Sequence, residues 1–167
     1  MKQRIAVATL LMLGMLPWAG LHAQQQTAQT TFVVKARVQA VCEVTASDLD
    51  FGVYTAQAGS ALQGTTLLRA TCTPGSTYNV GLNEGTTAGA TVQARAMKPA
   101  TGSQNLTYQL YQDAQRSAIW GNTAGTDTVT GTGTGLAQDH TVFGAVPAAQ
   151  VVPASDYSDT ITVRVYY

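Results

Sequence analysis

The sequence predicts an all-β sandwich of immunoglobulin-like type, on three observations. Short stretches alternate apolar and polar residues with the two-residue period of half-buried strands. Turn residues punctuate these stretches, and no segment holds a helical period over about ten residues. Thr, Ala, Gly, Gln and Val dominate while Lys and Glu are scarce, which is the composition of an all-β exported protein.

Residues 1–23 read as a secretory signal peptide. Lys2 and Arg4 precede an apolar run over residues 5–16, Pro17 breaks it, and Leu21-His22-Ala23 offers a cleavage site. Leu21 is larger than the usual residue three places before a cut, so the site is fixed only to within a few residues. No later stretch is long and apolar enough to span a membrane, and the chain after cleavage is expected not to insert into one. The chain carries nine basic and nine acidic residues, and without Lys2 and Arg4 seven face nine. Such a sparse, near-neutral balance argues against nucleic acid and anionic lipid as partners.

The first strand is predicted over residues 30–42. Phe32, Val34, Ala36, Val38, Ala40 and Cys42 share one side, and Lys35, Arg37 and Gln39 the other. Such a ribbon needs a partner for its apolar side and for its backbone. Leu49, Phe51 and Val53 then alternate around Gly52, a residue that invites a bend. Residues 65–72 place Leu68, Ala70 and Cys72 on one face, and Thr73-Pro74-Gly75-Ser76 is a turn. Residues 78–82 alternate again and end in the turn residues Asn83-Glu84-Gly85. A short strand over 91–97 puts Arg95 and Met97 on the same side, and residues 106–111 turn Leu106, Tyr108 and Leu110 inward. Residues 121–135, almost wholly Gly, Thr, Ala and Asn, read as a long surface hairpin or loop. Residues 141–146 form a strand around Phe143. Pro147 and Pro153 bracket a loop. A final strand over 160–167 sets Ile161, Val163, Val165 and Tyr167 on one face.

Cys42 and Cys72 are the two cysteines of an exported chain, so a disulfide is expected between them. Nothing else points to catalysis, a cofactor or a metal. His140 beside Asp139 lacks a nucleophile and reads as a solvated loop residue. Asp48 with Asp50, and Asp156 with Asp159, lack the ligand count of a calcium loop and suit turn capping. The Gly131–Gly135 run lacks the Lys and the following helix of a phosphate cradle. Tyr54, Tyr78, Tyr108, Tyr111 and Tyr157 mostly sit at core positions. Trp120, bordering the Gly-rich stretch, is the one aromatic expected to face a ligand or surface.

The ordered set Cys42-Glu-Val-Thr-Ala-Ser-Asp-Leu-Asp-Phe-Gly-Val-Tyr54, Leu68-Arg-Ala-Thr-Cys72, residues 78–85, Arg95-Ala-Met97, Leu106-Thr-Tyr-Gln-Leu-Tyr111 and residues 157–166 resembles the spore coat protein U domain. That domain is similar to the subunits of archaic, Csu-type chaperone–usher pili. The resemblance implies an incomplete immunoglobulin-like sandwich, completed by a strand donated by a neighbouring subunit or a chaperone. It implies a pilus subunit passed from a periplasmic chaperone to an outer-membrane usher, then polymerised head to tail at the cell surface for adhesion and biofilm formation. On that reading residues 24–40 are the donor segment, with Phe32, Val34, Ala36 and Val38 entering the neighbour. Residues 41–167 are the sandwich, and Ile161, Val163, Val165 and Tyr167 mark its acceptor and chaperone edge. Two other readings stand beside it: a self-complete secreted sandwich that binds carbohydrate or a surface, and a spore-coat-like structural protein.

Overall fold

The computed structural model describes residues 25–57 and 59–167. The predicted signal peptide lies outside them. Two units are distinguished, a segment up to Arg37 and a body, Val38–Tyr167. The segment carries no assigned strand, and all its described residues are exposed, Phe32 at 86% and Val34 at 81%. Here the structure departs from the strand predicted over 30–42. Ladder pairing begins only at Cys42, preceded by a backbone bond from Thr73 N to Val41 O.

The body is all-β, with no helix among the described residues. Its strands are β1 (Cys42–Ala46), β2 (Leu62–Cys72), β3 (Thr77–Leu82), β4 (Arg95–Pro99), β5 (Leu106–Tyr111), β6 (Val129–Thr132), β7 (Gln138–Val146), β8 (Tyr157–Ser158) and β9 (Val163–Tyr166). They form a six-stranded sheet ordered β1-β2-β7-β5-β4-β8 and a three-stranded sheet ordered β6-β3-β9. The predicted immunoglobulin-like sandwich is therefore present. Alternate residues of the long strands meet in one core: Leu68 and Ala70 of β2, Val142 and Val146 of β7, Tyr108 and Leu110 of β5, all against Tyr78, Val80 and Leu82 of β3. Cys42 and Cys72 stand opposite each other in the β1–β2 ladder and form the expected disulfide.

Several local expectations are corrected. The Gly/Thr-rich stretch is not a free loop. Its residues 129–132 are β6, paired along β3, with Val129 against the core and Thr130 on the exposed side donating to Asn79 Oδ1. Gly131 is required there, since a Cβ would stand 2.4 Å from Tyr78 Cζ. Trp120 is 1% exposed, its Nε1–H donating to Val80 O at 2.8 Å, so it offers no surface platform. Val53 does not join Leu49 and Phe51 but is 88% exposed. Residues 157–167 divide between two sheets, β8 in one and β9 in the other. The strand expected from residue 91 starts at Arg95.

Arg95 is fully buried and spends five N–H groups on five acceptors. Nε donates to Asn83 O, Nη1 to Gln109 Oε1 and Val92 O, and Nη2 to Leu82 O and Trp120 O, at 2.6–3.3 Å. One side chain thereby ties the end of β3 to β5 and to the loop that holds Trp120. Burial lowers its pKa, but a guanidinium stays charged at any physiological pH.

His140 is not a solvated loop residue either. It lies half-buried in β7, its Nε2 2.9 Å from Tyr78 Oη, and so bridges the two sheets. Asp139, its neighbour, pairs instead with Arg69 at 2.7 Å, so the two form no catalytic dyad. Burial lowers the His140 pKa, partly opposed by Asp139. A folded pKa below the unfolded value gives stability that is present above about pH 6.5 and lost as pH falls towards the folded pKa. The stability difference between wild type and His140→Gln is therefore expected to narrow between about pH 7.5 and pH 5. Thermal melts at the two pH values check this, and a pH-independent difference would contradict it.

Candidate functional site: an open groove between the sheets

Each sheet ends on a strand with one unpaired side, β1 in the larger sheet and β9 in the smaller. β1 and β9 come near each other, and the sandwich opens beyond Ala46, between residues 46–51 and 157–163. A cleft of about 360 Å³ is walled by Leu68, Leu82, Leu110 and Val142, with Ile161 and Val163 on the β9 side. A second cleft, of about 670 Å³, opens beside Leu62, Leu106, Val146 and Val152. Leu49, Phe51, Met97 and Tyr157 line both, so the two clefts adjoin along these side chains and together make up the groove region.

Glycine shapes the packing under the groove-lining side chains. Gly64 of β2 and Gly144 of β7 are cross-strand partners, and neither fills the interior. Leu49 and Phe51 lie over this hollow from a segment that belongs to no strand. A Cβ at Gly144 would stand 2.6 Å from Phe51 Cζ and 2.7 Å from Leu49 Cδ2. Gly144→Ala is expected to lift both side chains and to destabilise the body by about 1–3 kcal/mol in urea unfolding. Gly64→Ala, whose nearest atom would be Leu49 Cδ1 at 3.0 Å, is expected to cost less. Equal, negligible effects would contradict this packing.

Asp159 anchors one end of the groove. Its carboxylate accepts from Tyr108 Oη at 2.7 Å, from Thr86 N and Oγ1, and from Thr160 N. Burial, with help from Asp159, raises the Tyr108 pKa so far that the hydroxyl remains a donor. This network fixes the turn between β8 and β9 and so the start of the open edge.

Ile161, Val163 and Val165 are half-buried against the core, whereas Tyr167 is 62% exposed. Phe32, Val34 and Ala36 belong to the exposed N-terminal segment, and Val38, first residue of the body, is 85% exposed. The groove roles of Leu49 and Phe51, and the part of Gly64 and Gly144 in seating them, were not legible as such. The alternation of Leu49 with Phe51 was the available signal.

The family model that matches residues 28–164 is that of the Spore Coat Protein U domain. The chain belongs to the Spore Coat Protein U domain family. Protein U of Myxococcus xanthus is 34% identical over 158 residues, covering 87% of this chain and 88% of that protein. Among solved structures, the Spore Coat Protein U domain described here is similar to a chain of a crystal structure from Acinetobacter baumannii. That structure is the CsuC–CsuE chaperone–tip adhesion subunit pre-assembly complex from archaic chaperone–usher Csu pili. The TM-score is 0.56 at 24% identity, over 78% of this chain and 40% of that one. The likeness is one of fold, and this chain spans about two-fifths of the solved chain's length.

Proposed function

We propose that the protein is a structural subunit of a bacterial surface pilus, assembled by donor-strand exchange through a chaperone–usher pathway and serving adhesion and biofilm formation. The observation that carries this reading is the open apolar groove flanked by the unpaired edge of β9. A sandwich with an open cleft beside a free strand edge can receive one more strand, which gains backbone hydrogen bonds and drops alternate side chains into the cleft. The exposed segment with Phe32, Val34, Ala36 and Val38 has the matching pattern. Burying Phe32, Val34 and Val38 would contribute roughly 5–9 kcal/mol before ordering costs, with Ala36 adding less. A head-to-tail joint of this kind propagates into a filament. In transit the same edge would take a strand from a periplasmic chaperone before an outer-membrane usher exchanges it.

Kinship with Protein U favours a second reading, a coat-like layer built from the same joint. Surface material sheared from expressing cells separates the possibilities. The pilus reading predicts fibres by electron microscopy and a ladder of multimers that resists detergent until boiled. Phe32→Asp with Val34→Asp should reduce both to monomer. An unordered layer would favour the coat, and a stable wild-type monomer would overturn strand donation.

A further inference from the structure

The groove and the N-terminal segment carry opposite charge in the same two-residue rhythm. In residues 48–51, Leu49 and Phe51 turn into the groove while Asp48 and Asp50 are exposed between them. Asp48 and Asp159 line the first cleft and Asp50 and Asp156 the second, with no Lys or Arg among the described lining residues. Residues 25–41 carry Lys35 and Arg37 and no acidic residue, and these two alternate with Val34, Ala36 and Val38. The backbone of residues 48–51 makes no backbone–backbone hydrogen bond among the described residues; the last anchor before it is Ser47 N on Leu67 O. Within the same set Asp48 and Asp50 have no cation at ion-pair distance, the one pair being Arg69 with Asp139.

We infer that Lys35 and Arg37 of a donated N-terminal segment pair with Asp48 and Asp50 beside the groove, so that charge favours a second copy of the same chain as donor. The inference rests on the strand-donation reading and adds the charge match that sets the donor's register and favours the chain's own segment. A strand laid beside residues 48–51 with Val34, Ala36 and Val38 inward sets its two cations on the exposed side, where the two aspartates stand. Adjacent strands place such opposite charges within reach, and like charges there repel. Asp159 is engaged by its own donors and plays the anchoring part described above. The subunit is thereby suited to self-polymerisation, with charge setting register as well as partner.

The test uses the mature chain carrying Phe32→Asp and Val34→Asp in its own segment, so that the groove is open to an added peptide of residues 28–40. The wild-type peptide should bind, and a Lys35→Glu, Arg37→Glu peptide should bind about tenfold more weakly at low salt. The gap should shrink at about 0.5 M salt. The reversed peptide should regain affinity on a chain with Asp48→Lys and Asp50→Lys. Asp48→Asn with Asp50→Asn, which keeps an acceptor for the Gly52 N–H, should weaken the wild-type peptide even if the lysine variant misfolds. A reversed peptide, or one with Lys35→Thr and Arg37→Thr, that binds within twofold of wild type would overturn the inference while leaving strand donation intact. Binding of no peptide at all would overturn both.

Discussion

Arg95→Met is expected to destabilise the protein by about 3–5 kcal/mol, measured by urea unfolding. The substitution keeps the apolar stem but strips hydrogen bonds from the carbonyls of Leu82, Asn83, Val92 and Trp120, all of which Arg95 serves from a fully buried position. Carbonyls left dry and unpaired incur a desolvation cost that a methyl group does not relieve. Arg95→Lys should lose most of the same stability, because one ammonium with three donors cannot replace a planar fork with five. Arg69→Met is the control: its ion pair with Asp139 is solvent-exposed and should matter little. A tolerant Arg95 would mean that the cage is not what holds β3, β5 and the Trp120 loop together.

Replacing Cys42 and Cys72 together by Ala should lower stability by about 3.6 kcal/mol, the chain-entropy value for a loop of 30 residues. For a domain of this size that corresponds to a melting temperature roughly 10–20 °C lower. The effect should reach the groove as well. β1 is a five-residue edge strand held on one side only, and the bridge pins its first residue to β2. Without it β1 frays from Cys42, and the groove wall beginning at Ala46 loosens with it. Comparable melting with and without the bridge would contradict this.

Much of the fold was legible because one face of each long strand is buried. The two-residue period in Leu68-Ala70-Cys72, Tyr78-Val80-Leu82 and Leu106-Tyr108-Leu110 states which side chains meet the core. It does not state which strands are neighbours, so the division of residues 157–167 between two sheets was not readable. Arg95 also escaped notice, since a cation at an inward position has no local signature and its cage comes from carbonyls up to 25 residues away. The Gly/Thr-rich stretch read as a loop because its strand sets only Val129 against the core, the other inward position being Gly131. Residues 49–53 showed strand-like alternation, yet Leu49 and Phe51 settle on glycines while their backbone stays unpaired. For residues 30–42 the apolar pattern was plain, but only Cys42 became part of a strand, because alternation does not say where a ladder begins.

The claim that this body is one strand short is tested most directly by adding the strand. The mature chain with Phe32→Asp and Val34→Asp in its own segment is melted with and without a saturating peptide of residues 28–40. Binding only to the folded body must raise the melting temperature, and the account predicts a rise of roughly 10 °C or more. The same peptide with Phe32→Asp and Val34→Asp should give none. An unchanged melting temperature at saturation, or an equal rise with the altered peptide, would contradict the account and return the groove to an ordinary surface cleft.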